Sequence, residues 1–501
     1  MPMCRVKHHP EKHNSLSTLA LQNCTRPQQV CEMTPRRLCS LFLLLLLVGG
    51  CFPQEYTYNK PVLTDEGEIL VYLEPLPQEA SKLRFVLEGV FALRDDGNKI
   101  PLSLSFKQLD GSELLGRQRL LATGILPPGG YTGLSVKTAQ ASVQSEEGEV
   151  ALLVPDEPVT APKLFQVNRR QAITLFLSLN ASGVVTRGIS FTPDFSLATS
   201  GGILINLTGY VSNSASNLIS VFNKKTMEVV NVIATGRGPK GIVLDQNRTR
   251  AYVAISGDDT VEIYDLFNGT AIGRVRLNFG DNPLDLALTP DGRTLVSVNY
   301  GSNTVSIIDA ISQIVLRRVI VGEKPTSATI DPSGLKAYIT NSQSNTVSVV
   351  DLSQRTFTAT ISVEGSPVRG AFNRGGDRLY VVSSNSPNLS VIDPSSLRVT
   401  DKIFIGTGGV SIKVSRLNGL TFVGKSFGGE IAIVDPSSSM FIDSIRIRGS
   451  AAYMTIDRQE NTLFVVLPER RLAQKVNLTS KKIMAEIDVA EVAYAVAVMG
   501  E

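Results

Sequence analysis

The side chains that most often carry acid–base or nucleophilic chemistry are confined to one end of this chain. All three histidines precede residue 14 and all five cysteines precede residue 52: His8, His9, His13, Cys4, Cys24, Cys31, Cys39 and Cys51. Their spacing matches no standard zinc pattern. Residues 52–501 therefore lack the base of a Ser-His-Asp or Cys-His constellation and the histidines of a haem, copper or zinc site. We predict no catalytic residue and no cofactor.

Carboxylates are the remaining candidates for chemistry. Asp258 and Asp259 lie in SGDDT, and Asp281 and Asp285 lie in GDNPLD. Several oxygen ligands close together are what Ca²⁺ requires, so these four residues are calcium candidates. The alternative is that each aspartate accepts hydrogen bonds from the backbone of its own turn.

A second candidate is a set of mostly basic residues. We expect these residues in the loops that precede the first strand of each repeat described below, or that join its second and third strands. These loops should crowd the mouth of a central channel on one face. The set is Arg237, Lys240, Asp285, Lys324, Arg369, Lys425, Arg448, Arg470 and Arg471. A rim of this kind could receive an anionic ligand or peptide carboxylates, whereas the alternative is an ordinary polar surface.

These candidates are spaced by a repeat of about 42 residues. SNTVSIID at 302–309 recurs as SNTVSVVD at 344–351. The same register places an aspartate or asparagine at the end of one strand in seven units: Asn223, Asp265, Asp309, Asp351, Asp393, Asp435 and Asn477. Short acidic side chains at a strand end accept hydrogen bonds from turn amides, so we interpret them as structural.

Each unit contains four short runs that alternate in polarity and are bounded by Gly, Pro, Asn, Asp or Ser. Four strands per unit of this length predict the blade of a β-propeller. The first unit lacks its innermost strand, and AYAVAVMG near residue 500 is an innermost strand without a unit. We therefore predict seven blades closed by the C-terminal strand, over residues 198–501.

The repeat unit AYITNSQSNTVSVVD, with a proline turn before it and TPDG or DPSG in neighbouring units, resembles the YVTN-repeat propellers of bacterial and archaeal surface and periplasmic proteins. The resemblance covers about residues 209–501 and implies a fold, while propellers carry out many different functions. Propeller lactonases mostly use histidine or calcium, and propeller quinoproteins usually stack their cofactor on tryptophan, which this chain lacks.

The beginning of the chain has the pattern of an export signal. Arg36 and Arg37 precede an apolar run of eleven residues, 38–48, which is too short to span a bilayer. VGGC at 48–51 resembles a bacterial lipobox, which implies that Cys51 is the first mature residue and carries the lipid. We predict a non-structured preamble over 1–32, a signal peptide over 33–50 and a lipidated tether over 51–66. Translation from Met33 would give a signal peptide of ordinary length, in which case residues 1–32 come from a mis-called start codon.

Residues 67–197 form a second strand-rich region without the 42-residue period. LPPGGYTGLSV resembles the LPxGxYT segment of bacterial transthyretin-like domains, which implies an N-terminal β-sandwich. The chain's 49 basic and 46 acidic side chains include six and two in residues 1–50, so the remainder is near neutral, at −1. This balance gives no electrostatic reason to expect a nucleic-acid partner.

The sequence thus predicts an all-β, lipid-anchored, extracytoplasmic protein in which a β-sandwich precedes a seven-bladed propeller. The expected function is binding or scaffolding in the cell envelope, with a protein, peptide or glycan partner and an outer-membrane location. The alternative is a lactonase-like propeller hydrolase that uses carboxylates or calcium.

Overall fold

The computed structural model describes residues 60, 62–180, 183–201, 204–457 and 461–501. The predicted preamble, signal peptide, Cys51 and most of the predicted tether lie outside these residues. In the described part of the chain, the only helices are four short 3₁₀ turns: Gln78–Ala80, Ile205–Leu207, Ser256–Asp258 and Pro468–Arg470. None of the described helices is long and apolar enough to cross a membrane.

The amino-terminal unit consists of twelve strands: β1 Gly67–Leu73, β2 Leu83–Arg94, β3 Lys99–Leu104, β4 Gln108–Asp110, β5 Arg119–Leu126, β6 Gly129–Ser145, β7 Gly148–Leu152, β8 Val159–Val167, β9 Ala172–Asn180, β10 Val185–Thr186, β11 Ser190–Phe191 and β12 Asp194–Thr199. Ten of them form one sheet, and β10 and β11 form a separate pair. Within the sheet, β1 runs parallel to β9 and antiparallel to β5. The segment FTPDF, residues 191–195, is similar to the TPDG turn of the propeller repeats. It nevertheless belongs to the amino-terminal unit, because β12 pairs with β9.

The propeller begins at residue 208. It has seven four-stranded blades, and blade 1 consists of β13 Thr208–Asn213, β14 Leu218–Asn223, β15 Glu228–Ala234 and the closing strand β40 Ala493–Val498. Blades 2 to 4 follow in chain order: blade 2, β16 Pro239–Asp245, β17 Arg250–Ile255, β18 Thr260–Asp265 and β19 Thr270–Arg276; blade 3, β20 Pro283–Leu288, β21 Thr294–Asn299, β22 Thr304–Asp309 and β23 Ile314–Ile320; blade 4, β24 Pro325–Ile330, β25 Lys336–Asn341, β26 Thr346–Asp351 and β27 Thr356–Ser362. Blades 5 to 7 continue in the same way: blade 5, β28 Pro367–Phe372, β29 Leu379–Ser383, β30 Asn388–Asp393 and β31 Arg398–Phe404; blade 6, β32 Gly409–Val414, β33 Thr421–Lys425, β34 Glu430–Asp435 and β35 Met440–Arg446; blade 7, β36 Tyr453–Asp457, β37 Thr462–Leu467, β38 Leu472–Asn477 and β39 Lys482–Asp488.

The closing strand completes blade 1, as predicted. β40 pairs antiparallel with β13, with Val496 opposite Val211 and Val498 opposite Gly209. Val496 and Val498 pack into one inter-blade core, and Ala495 and Ala497 pack into the core on the other side of blade 1. The strand is therefore buried on both faces, and its pairing removes an open sheet edge.

The residues that recur in each repeat are explained by hydrogen bonds between neighbouring strands. The Asn299 side-chain amide donates to Thr304 Oγ1 at 3.0 Å and to Ser306 Oγ at 2.9 Å. Asn341 makes the same pair of bonds to Thr346 and Ser348. A buried amide needs such partners, so the Asn at the end of the second strand and the Thr-x-Ser of the third strand recur together.

The amino-terminal unit packs on the outer strands of blades 1 and 7. Leu70 and Tyr72 of β1 share a core with Val229 and Val232 of β15 and with Ile487 of β39. Around this apolar centre, Arg117 Nη2 lies 2.7 Å from Asp488 Oδ1 and Arg119 Nε lies 2.6 Å from Asp488 Oδ2. The amino-terminal unit and the propeller therefore share an apolar core that is flanked by ion pairs.

Candidate functional site

The innermost strands of the seven blades form a ring around a central space. The loops that precede these strands and those joining second to third strands lie on one face, which we call the entry face. The loops that follow the innermost strands lie on the opposite face, the exit face. A cavity of about 510 Å³ lies at the centre, and its mouth is lined by exit-face residues that include Gln246, Pro290, Asp331, Arg374 and Arg416.

A buried arginine forms part of this cavity wall and bridges the ring. Arg369 of β28 reaches Asp285 of β20, with 3.3 Å between Nη1 and Oδ2, although β24 lies between these two strands. In the opposite direction, its guanidinium carbon lies 4.3 Å from the ring centroid of Tyr453 on β36. Because neither partner is in an adjacent blade, the arginine side chain must cross the central space.

A second ion pair faces the same cavity. Lys413 of β32 pairs with Glu501, which follows β40, and both residues line the cavity with Asp285, Arg369 and Tyr453. We call these five residues the central cluster. Its two cations and two anions come from different blades, so formation of the ring assembles the cluster.

Burial shifts the acid–base properties of the cluster. Burial raises the pKa of the Asp285 carboxyl, while Arg369 and Lys413 oppose that shift. Burial also raises the pKa of the Tyr453 hydroxyl far above its usual range, so this group stays protonated. The arginine itself is only partly satisfied, because its buried Nε has no hydrogen-bond partner, and 3.3 Å is long for a charge-assisted hydrogen bond.

Lys240 lies outside the cavity. Its ammonium sits 4.7 Å from the ring centroid of Tyr494, and both residues occupy the second position of their strands, β16 and β40. Burial lowers the pKa of Lys240 to about 8. This lysine and tyrosine therefore form a contact between blades 2 and 1, and the Tyr494 hydroxyl also acts electrostatically on Arg369 of the central cluster.

The structure divides the predicted rim into two groups. Lys240, Asp285 and Arg369 belong to innermost strands, so the expectation that they sit in mouth loops was wrong. The other six lie near the entry face, where Lys324 stacks on Tyr300 and four cations have carboxylate partners: Arg237 with Asp258, Lys425 with Glu430, Arg448 with Glu486 and Arg471 with Glu491. Arg470 donates from Nε to the Arg448 carbonyl at 3.3 Å.

The four calcium candidates each have another hydrogen-bond or ion-pair partner. Asp258 accepts from the backbone and side chain of Arg237, and Asp259 accepts from the amides of Gly280 and Asn282. Asp281 pairs with Arg318, and Asp285 pairs with Arg369. Among the described residues there is no group of three or more His, Cys, Asp or Glu side chains placed to hold a metal.

Tyr453, Lys413 and Glu501 were not among the predicted site residues. The repeat itself carries a signal for the tyrosine, because Asp285, Arg369 and Tyr453 occupy the same position in blades 3, 5 and 7. Three unlike polar residues at equivalent positions of alternate blades point to one layer of the channel. Lys413 and Glu501 have no comparable signal.

Comparison with known proteins identifies the fold of the propeller. No protein-family profile and no curated protein matches the chain. A functionally unknown protein from Desulfotomaculum acetoxidans superposes with a TM-score of 0.53 at 14% identity, over 58% of this chain and 98% of that one. A putative 6-phosphogluconolactonase from Bacteroides fragilis gives a TM-score of 0.50 at 14% identity, over 58% and 97%. At these identities the likeness concerns fold alone.

Proposed function

We propose that this protein is a lipid-anchored binding protein of the bacterial cell envelope and that its ligand site is the central cavity of the propeller. We further propose that the propeller consists of YVTN-type repeats and that the amino-terminal unit is a transthyretin-like sandwich. We also propose that Cys51 is lipidated and that the protein is located at the outer membrane. The observation that carries it is the cavity with its cluster of buried charges, because small-ligand sites are concave and contain a few fixed polar groups.

The size of the cavity limits what can enter. A volume of about 510 Å³ lies within the usual range for small ligands, roughly 300–1,000 Å³. An envelope protein, peptide or glycan would therefore insert one side chain or one terminal sugar. The amino-terminal unit, which packs on the outer strands of blades 1 and 7, leaves the exit-face mouth free for this contact, since none of its strands lines the cavity.

A cavity-filling variant tests the site. Ala287 lines the cavity, whereas Ala271 lies on an exposed outer strand, so Ala287→Phe blocks the site and Ala271→Phe is the matched control. Immobilised native protein and Ala271→Phe should retain the same component from an envelope extract, and Ala287→Phe should lose it. Equal retention by all three proteins would refute the cavity as the site.

Lipidation is tested separately. The full chain, expressed in a bacterium with lipoprotein-processing enzymes, should incorporate radiolabelled palmitate and fractionate with outer membranes. Cys51→Ser should abolish both the label and the membrane association, while Cys39→Ser should change neither. Labelling that survives Cys51→Ser contradicts the anchor.

The hydrolase alternative rests on one residue. Asp285 faces the cavity and its pKa is raised by burial, which is a property of general acids and bases. Under the binding proposal, lactone and ester substrates with calcium present should give no turnover. Turnover that disappears in Asp285→Asn would favour the hydrolase. Asp258 and Asp259 cannot serve in this test, because they hold loops together.

A further inference from the structure

The central cluster contains an arginine with one buried hydrogen-bond donor that has no acceptor. Arg369 has five N–H donors, but its contact with Asp285 is long, at 3.3 Å, and involves Nη1. Its Nε is buried without an acceptor. A buried donor without an acceptor is unfavourable, and an oxyanion that approaches Nε would supply the missing acceptor.

The surroundings of Arg369 favour negative charge. Lys413 lies in the same cavity, and Arg374 and Arg416 are at its mouth. The acidic side chains Asp285 and Glu501 already pair with Arg369 and Lys413, and Asp331 accepts hydrogen bonds from its own turn. The four basic side chains that line the cavity, Arg369, Arg374, Lys413 and Arg416, exceed the three acidic ones by one. This single excess positive charge lies at the mouth and makes the entrance attractive to anions.

We propose that the cavity binds a small anionic ligand through an oxyanion group, a carboxylate or a phosphate, that docks on Arg369. This inference rests on the proposed function and names its ligand class. The ligand enters from the exit face, opposite the rim that the sequence suggested. Binding weakens the bond between Arg369 and Asp285, so Asp285 competes with the ligand for the arginine.

Calorimetric titration of the full-length protein in detergent with succinate, gluconate and inorganic phosphate tests the proposal, with glucose as a neutral probe. At least one oxyanion should bind with a Kd below about 1 mM, and glucose should not compete with it. Preference for phosphate over both carboxylates identifies a phosphate site, and the reverse identifies a carboxylate site. Failure of all three anions to bind at 10-fold higher concentration refutes the proposal.

Substitutions distinguish the arginine from the rest of the cavity. Arg369→Lys should raise the Kd about tenfold, because a point charge replaces a planar donor, and Arg369→Met should abolish binding. Arg355→Met, at an exposed turn outside the cavity, is the matched control and should stay within twofold of native. Native-like affinity in Arg369→Lys or Arg369→Met contradicts the assignment.

Asp285→Asn gives a second test that does not depend on removing the arginine. Without the competing negative charge, oxyanion affinity should increase by at least threefold, and an unchanged or weaker affinity overturns the proposal. If an envelope ligand is lost in Ala287→Phe but unaffected by Arg369→Lys, the cavity remains the site while the oxyanion assignment fails.

Discussion

At the scale of single residues, the turn that follows each third strand explains the repeated aspartates. Asp309 accepts from the amides of Ile311 and Ser312, and Asp435 accepts from the amide of Ser437 at 2.9 Å. The equivalent residues behave in the same way, including Asn223 and Asn477. The prediction that this register is structural is therefore confirmed, and its regularity reflects turn geometry.

The same turns contain a strained backbone position that a glycine substitution should relieve. Four residues after each aspartate or asparagine the backbone has positive φ, yet glycine occupies this position only at Gly269. Arg355 is exposed and has a φ of 57°. Arg355→Gly should raise the free energy of unfolding by up to about 1 kcal/mol, since a side chain in the left-handed region is strained.

Denaturant unfolding measures this effect, with two controls. Arg355→Ala keeps a Cβ atom and should not stabilise the protein. Gly269→Ala introduces the strain in blade 2, where φ is 64°, and should destabilise it by about 1 kcal/mol. Equal stability of the glycine and alanine variants at position 355 would contradict the strain argument.

A second residue-scale prediction concerns Lys240. Burial lowers its pKa to about 8 from an ordinary 10.5. Between these values the unfolded chain binds more protons than the native protein, so stability rises with pH. From pH 7 to pH 9 the free energy of unfolding should increase by up to about 1 kcal/mol through this lysine. Chemical unfolding of native protein and Lys240→Met at both pH values checks this, and equal pH dependence in the two proteins would disprove it.

At the scale of elements, neighbouring blades are joined by a repeated hydrogen bond. The residue before the third strand accepts from the amide one position before the next innermost strand: Asn217 from Gly238, Asp259 from Asn282, Asn303 from Lys324 and Asn345 from Ser366. All four acceptors have positive φ. This geometry gives Asp259 the same structural role as the three asparagines, and the role does not require a metal.

Removing one such bond should loosen one blade junction. Asn345→Gly keeps the left-handed backbone but loses the 2.7 Å bond to the Ser366 amide, so it should cost about 1 kcal/mol of unfolding free energy. Asn345→Asp keeps the acceptor and should lie within about 0.5 kcal/mol of native. Calorimetric melting of both variants measures the difference, and equal melting temperatures would argue against the junction bond.

The repeat made these elements predictable, whereas the site depended on side chains from distant blades. The alternation of polar and apolar residues and the turn residues recur in every unit. Blade number, strand order and ring closure could therefore be predicted from the amino-acid sequence. Arg369, Asp285 and Tyr453 meet because the ring brings alternate blades together across its centre, and a linear pattern does not report such distances. Lys240, Asp285 and Arg369 lie one to three residues from the predicted start of an innermost strand, so a small error in that boundary placed them in loops.

At the scale of the whole molecule, stability depends on closing the ring. Deleting residues 492–501 removes β40, including the buried Val496 and Val498. Each such side chain contributes roughly 1.5–3 kcal/mol, against a typical total of about 5–15 kcal/mol. The truncated protein should be insoluble, and a separately expressed segment 490–501 should restore part of the soluble yield. A soluble truncated protein with an unchanged melting temperature would refute this role of β40.

The pairing of β40 with β13 also has a consequence for biosynthesis. Ser212 and Ala495 are 283 positions apart yet share a hydrogen bond. At about 5–20 residues per second, a ribosome needs roughly 15–60 s to make the intervening chain. Throughout that interval the inner edge of β13 lacks its partner strand, while the amino-terminal unit, made earlier, is already available to cover β15 at the opposite edge. Order of synthesis thus makes the partner of one edge of blade 1 available early and the partner of the other edge only when β40 has been made.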